Sequence, residues 1–153
     1  MSTIEKGIML SKMLTLVVQA FEGVFDKGGR PYVLHCMQVM LWLDGDDEEL
    51  QCIGLGHDLL EDTSVTEASL VELGFTRRII DGIKCMSKVP GESYEEYKAK
   101  VKSNPDSIRV KLKDLRHNSD IRRLKGLRPK DIERVARYHA FYVELEAASK
   151  QLH

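Results

Sequence analysis

Apolar residues recur along this chain at helical rather than alternating spacing, a pattern that points away from any sheet-based architecture. Ile8, Leu10, Met13, Leu14, Val17, Val18 and Phe21 mark one such face. The run Asp26-Lys27-Gly28-Gly29-Arg30-Pro31 breaks the pattern with two glycines and a proline. A second helix should then carry Tyr32, Leu34, His35, Val39, Met40 and Leu43. Asp44-Gly45-Asp46-Asp47 reads as a turn whose acids cap a third helix through Leu50, Ile53, Gly54 and His57 toward Leu60. Thr63 or Ser64 is expected to start a short helix ending at Gly74, and Thr76 another through Ile79, Ile80, Ile83 and Met86. Ser93 with Glu96 three residues on suggests a capping box for a helix to about Lys102. Asn104-Pro105 precedes a helix carrying Ile108, Val110, Leu112, Leu115 and Asn118. Arg128-Pro129 opens the last, on which Ile132, Val135, Ala136, Ala140, Val143 and Ala147 mark one face. The expected fold class is all-α, a single-domain helical bundle over residues 1–153.

A chain of 153 residues is long enough to bury roughly two-thirds of its unfolded surface around one core without a metal or disulfide staple. Its net charge of -1 supplies no overall field that would recruit nucleic acid or an anionic membrane. The local balance is uneven. Residues 44–72 hold ten acidic and no basic residues, whereas residues 108–137 hold eleven basic against four acidic. Two solvated faces of opposite sign explain this as readily as a cation held beside a phosphorylated substrate does. Cys36, Cys52 and Cys85 are odd in number and form no C-x-x-C pair, which argues against a disulfide framework and for a reduced, cytoplasmic setting. No run of about 20 apolar residues and no signal-like N-terminus is present, so a soluble, unprocessed chain is expected. Oligomeric state is open.

The chemistry concentrates on four residues. His57-Asp58 is an adjacent imidazole and carboxylate inside Gly56-His57-Asp58-Leu59-Leu60-Glu61-Asp62-Thr63, with His35 on the preceding helix and Asp114 within a later one. Two imidazoles and two carboxylates form a mixed nitrogen and oxygen shell for one divalent cation, with room left for water. Each residue alone reads more readily as a helix cap or a neighbour's partner; the set is what points to metal. Glu61 and Asp62 fall four residues after His57 and Asp58, one helical turn along, where they could orient or deprotonate a water. As a bare pair they fit a solvated helix end. Lys111, Asp114 and Asn118 share one helix face, which favours Lys111 over Lys113 as the cation that would bind a phosphorylated substrate. His117 is expected to be a histidine satisfied by a carboxylate or backbone oxygen. His139 reads as an ordinary helix position and His153 as a frayed terminus. Trp42, Tyr94 and Tyr97 read as packing aromatics.

These blocks, in this order, resemble the metal-dependent His-Asp (HD) phosphohydrolases, and within them the hydrolase domain of RelA/SpoT proteins and the small alarmone hydrolases. The likeness runs through Asp26 to His35, His57 to Thr63, Gly91-Glu92-Ser93-Tyr94, and Val110-Lys111-Leu112-Lys113-Asp114-Leu115-Arg116-His117-Asn118. It implies an HD-domain helical bundle in which His35, His57, Asp58 and Asp114 bind one metal, usually manganese, and Glu61 and Asp62 serve the attacking water. It also implies that guanosine tetra- or pentaphosphate is cut at the ribose 3′-oxygen to release pyrophosphate, leaving GDP or GTP. Lys27 and Asn118 match positions lining the nucleotide site. Asp26, however, stands where RelA/SpoT proteins commonly carry an arginine that stacks on guanine. Phe21 and Val24 replace a common His and Gln, and Cys36 the proline after the first metal histidine.

Two other functions remain open at this level. One keeps the metal chemistry but changes the substrate to another phosphorylated nucleotide, such as NADPH or a nucleoside monophosphate. The other is a non-catalytic module that binds a nucleotide or a protein partner and uses metal for structure only. Retention of the four ligand types together with Glu61 and Asp62 weighs against the second.

Overall fold

The computed structural model describes residues 3–152, so His153 lies outside the described residues. The chain is all-helical. α1 (Met9–Ala20), α2 (Val33–Leu41), α3 (Glu48–Gly56), α4 (Leu59–Asp62), α5 (Glu67–Glu72), α6 (Arg77–Met86), α7 (Tyr94–Lys102), α8 (Pro105–Asn118) and α9 (Pro129–Ser149) follow one another, with one 3-10 turn at Ile121–Arg123. The sole strand-like contact among the described residues is one bridge between Phe25 and Pro31, which closes the Gly28-Gly29 loop before α2.

α3 is the hub. Leu50, Cys52, Ile53, Gly54, Leu55 and Gly56 are all buried in it, because it packs against α1, α2, α6 and α8. Two glycines permit that density. A β-carbon on Gly54 would lie 2.6 Å from Leu43 Cδ1, and one on Gly82 of α6 would lie 2.6 Å from Ile53 Cδ1. Met13, Val17, Val39, Ile79 and Ile83 complete this main core. A second apolar cluster joins α7, α8 and α9 through Tyr97, Val101, Ile108, Leu115, Phe141 and Leu145. Buried α8 side chains reach both clusters, Val110 the first and Leu115 the second.

Several expected boundaries shift. α3 does not run through to Leu60. His57 turns its Nδ1 onto the Gly54 carbonyl at 2.7 Å, the oxygen that the backbone N–H of Asp58 would take in a continuous helix. The chain therefore turns at His57-Asp58 before α4 begins. Thr63 does not start α5: its hydroxyl donates to the Leu59 carbonyl at 2.6 Å and accepts from the Val65 N–H. Thr66 caps the helix instead, in a reciprocal capping box with Ser69. At α7, Ser93 accepts from the Glu96 N–H at 3.0 Å, but no return bond from the Glu96 side chain accompanies it among the described residues. The Glu92 carboxylate serves Lys100 and the Val89 N–H.

α9 presents a different face from the one expected. Ile132 and Val143 are 59% and 50% exposed, while Phe141 and Leu145 are buried. Apolar residues are scattered around this helix, and the face that docks is the one offering aromatic area. Tyr138 and Tyr142 flank Phe141 against the second cluster.

Candidate metal centre and nucleotide pocket

His35 reaches the site from the first turn of α2, His57 from the C-terminal cap of α3, Asp58 from the turn before α4, and Asp114 from the middle of α8. One donor atom from each lies within 4.8 Å of every other. His35 Nε2 is 3.0 Å and His57 Nε2 3.2 Å from Asp114 Oδ1, His57 Nε2 is 3.0 Å from Asp58 Oδ2, and His35 Nε2 is 4.0 Å from Asp58 Oδ2. Ligands about 2.1 Å from a hard cation sit about 3.0 Å apart at adjacent octahedral corners and about 4.2 Å apart at opposite ones. The four spacings given fall within that range, and two imidazoles with two carboxylates are a donor set that suits a divalent ion.

The surrounding residues hold the donors in place. His57 Nδ1–H donates to the Gly54 carbonyl, so Nε2 is the nitrogen turned toward the centre. Tyr32 donates its hydroxyl to Asp58 Oδ2. Asp114 accepts from Lys111 Nζ at 2.8 Å through Oδ2 and from Asn118 Nδ2 at 2.9 Å through Oδ1. On His57, burial opposes the charged form, but the charges of Asp58 and Asp114 outweigh it and raise its pKa well above the usual value. Burial likewise pushes Asp114 up, yet Lys111 and the two histidines win and hold its carboxyl well below the ordinary range. Asp114 is therefore a carboxylate, as a ligand must be.

α4 keeps Glu61 and Asp62 on the turn after the ligands, with the Asp62 N–H on the Asp58 carbonyl at 2.9 Å. Both side chains reach solvent. Partial desolvation, reinforced by the negative charge of Asp58, raises both carboxyls above their ordinary values. A carboxylate with a raised pKa is a stronger proton acceptor than an ordinary one.

A cavity of 280 Å³ adjoins the centre, since Tyr32 and Asn118 line it as well as bonding to Asp58 and Asp114. Lys27, Arg123, Arg134 and Tyr138 also line it. Lys27 makes no ion pair among the described residues, so its ammonium is available to an anion. Asp26 forms part of the wall and pairs with Arg123 at 3.2 Å. Burial pushes its carboxyl up, but the Arg30 N–H and the Arg123 guanidinium keep it below the ordinary range. Lys111 lines neither this cavity nor the larger 980 Å³ groove whose wall includes Glu61, Lys84, Lys88 and Lys100. Its charge is committed to Asp114.

His117 departs from expectation. Its partner is neither carboxylate nor backbone oxygen but His35, Nδ1 to Nδ1 at 2.7 Å. Burial and the Arg123 charge push its pKa down to about 4. Trp42 lies edge-on to His117 and under the Arg116 guanidinium, 3.9 Å from its ring centroid. Tyr97 is buried with its hydroxyl on the Met86 carbonyl, Tyr94 packs edge-on to Phe141, and His139 is exposed on α9. Sequence reasoning missed Tyr32, Arg134 and Tyr138 as site residues. Tyr32 sits three residues before His35, the spacing that shares a helical face, and Arg134 and Tyr138 share one at four.

No family model matches the chain. A guanosine-3′,5′-bis(diphosphate) 3′-pyrophosphohydrolase of Haemophilus influenzae is 32% identical over 133 residues, covering 77% of this chain and 19% of that protein. A probable enzyme of the same name from Synechocystis is 30% identical over 141 residues, covering 80% and 18%. The chain thus spans about a fifth of the length of these relatives. A solved structure described as a metazoan ortholog of SpoT that hydrolyzes ppGpp superposes with a TM-score of 0.74 at 18% identity, covering 97% of this chain and 96% of that one. The chain is a homologue of the RelA/SpoT-like HD hydrolases. Its helices adopt the HD fold along nearly their whole length, and the His57-Asp58 turn that breaks α3 from α4 supplies the pair from which that fold is named. No described helix is long and apolar enough to cross a membrane.

Proposed function

We propose that residues 1–153 form one HD-type phosphohydrolase domain that hydrolyses guanosine 3′,5′-bis(diphosphate) and its pentaphosphate to GDP or GTP and pyrophosphate. The observation that carries the reading is the convergence of four ligand atoms within 4.8 Å beside a cavity lined by Lys27, Arg123 and Arg134. His35, His57, Asp58 and Asp114 would hold one divalent cation, manganese in this reading. Such an ion supplies Lewis acidity and lowers the pKa of water. Glu61 and Asp62 orient the attacking water and take its proton as the water oxygen bonds to the 3′-phosphorus and the bond from phosphorus to the ribose 3′-oxygen breaks. Lys27 and Arg134 offset the polyphosphate charge, and Asn118 contacts the nucleotide from the end of α8. Lys111 contributes from behind, keeping Asp114 ionised and aimed. A cytoplasmic setting agrees with three free thiols.

The Asp26–Arg123 pair favours one second reading. With a carboxylate at this wall in place of a stacking guanidinium, the cavity could select another phosphorylated nucleotide, such as NADPH or a nucleoside monophosphate. A panel assay on chelator-stripped, manganese-reloaded protein separates the two. Pyrophosphate with GDP from the tetraphosphate supports the first; inorganic phosphate from NADPH or a monophosphate, with the tetraphosphate inert, replaces it with the second. Nucleotide binding without turnover in any divalent metal would leave only a binding module.

A further inference from the structure

His57 and His35 present the same Nε2 atom to the centre, but their outer nitrogens are held differently. The partner of His57 Nδ1 is a carbonyl, which can only accept, so the proton must sit on Nδ1. The partner of His35 Nδ1 is another imidazole nitrogen, 2.7 Å away. The two rings are inclined by 12° with centroids 5.0 Å apart. Half a five-membered ring on either side of a 2.7 Å contact accounts for that separation. The rings therefore lie edge to edge in nearly one plane, aligned for a single N–H···N bond. One proton fits between them.

We propose that His117 is a positioning residue that sets the ligand-competent tautomer of His35 by accepting the proton of its Nδ1–H. Without a cation, the Asp114 carboxylate can only accept from His35 Nε2, and in the proposed tautomer pair His117 Nδ1–H would then donate to His35 Nδ1. Were a cation to take the His35 Nε2 lone pair, the Nε2 proton would leave to solvent, the shared proton would sit on His35 Nδ1, and His117 would take one from solvent at Nε2. The pair keeps two protons throughout. No other described side chain bonds to His35 Nδ1, so without His117 that proton has no acceptor in the buried site. Trp42 against the edge of His117 and the Arg123 hydrogen bond to the His117 carbonyl hold the acceptor ring in register.

The inference rests on the metal-centre reading, and its test separates the two. Manganese(II) affinity is measured by the electron paramagnetic resonance of the free ion for wild type, His117→Phe and His117→Gln, with the metal-free melting temperature as a control of folding. His117→Phe should bind manganese about 10- to 100-fold more weakly, the usual effect of losing a residue that orients a ligand histidine. His117→Gln, whose amide oxygen accepts an N–H, should recover most of that loss. In wild type loaded with diamagnetic magnesium, nitrogen NMR should place the His35 proton on Nδ1. Equal affinity in His117→Phe, or a His35 proton that stays on Nε2 in the loaded protein, would overturn the role of His117. Failure of wild type itself to bind manganese would instead overturn the metal centre. If His117→Phe does not fold, the wild-type NMR assignment and His117→Gln still decide.

Discussion

At the scale of single residues, the proposed centre divides into groups that would hold a cation and groups that would react. Asp58 and Asp114 touch both histidines, whereas the side chains of Glu61 and Asp62 make no hydrogen bond to the four-residue cluster among the described residues. Asp58→Ala should accordingly lose both bound manganese and turnover. Glu61→Gln should keep the metal and lose about 10²- to 10⁴-fold in rate, the span of a missing general base. Metal content and single-turnover rates on the same preparations distinguish these outcomes. Equal metal loss in both variants would contradict the division. The four residues that gather at the centre were legible in the sequence as a candidate donor set because their residue types and spacings are restrictive. Tyr32 and His117 were not, since a tyrosine and a histidine on helices usually find unrelated partners, and only the folded chain brings Tyr32 to Asp58 and His117 to His35.

At the scale of elements, Arg78 at the start of α6 ties together two helix N-termini. Its guanidinium donates to both oxygens of Asp47, the cap of α3, at 3.0 and 2.8 Å, and to both oxygens of Asp106 in the first turn of α8 at 2.9 and 3.0 Å. α3 and α8 deliver His57 and Asp114, so this clamp fixes the spacing of two proposed ligands from the N-terminal ends of their helices. Arg78 is 37% exposed, so solvent screening trims the effect, and Arg78→Ala should cost about 1–2 kcal/mol. The hydrogen bonds from Arg78 hold the Asp47 carboxyl below its ordinary pKa. A depressed folded-state pKa stabilises above the unfolded value, near 3.9, and the contribution disappears as pH falls through the folded value. The gap in denaturant midpoint between wild type and Arg78→Ala should therefore be level from about pH 5 to 8 and close below about pH 4. A gap that widened in acid would contradict the clamp. Helix existence was readable from periodicity and caps. The break after Gly56 was not, because it depends on a side-chain nitrogen capturing a backbone carbonyl, a competition that apolar spacing cannot report.

At the scale of the whole molecule, two apolar clusters meet along α8, and the site lies where α2, α3 and α8 converge. α9 closes the cavity with Arg134 and Tyr138 while anchoring itself through Phe141 and Leu145. Phe141→Ala should destabilise by about 3–5 kcal/mol, whereas Ile132→Ala should stay within about 0.5 kcal/mol. Chemical denaturation of both variants checks the assignment, and a reversed order would restore the face that periodicity alone suggested. The all-helical class followed from periodicity everywhere, but the docking face of α9 did not, because its apolar residues surround the helix and size and shape decide which of them pack. The central claim is that four side chains from three separate segments form one metal-dependent hydrolytic centre. Its most direct test is product release from guanosine tetraphosphate by stripped and manganese-reloaded protein, run beside Asp58→Ala. Manganese-dependent appearance of GDP and pyrophosphate in wild type, absent from the variant, is the expected result. Turnover that survives either metal removal or loss of Asp58 would contradict it.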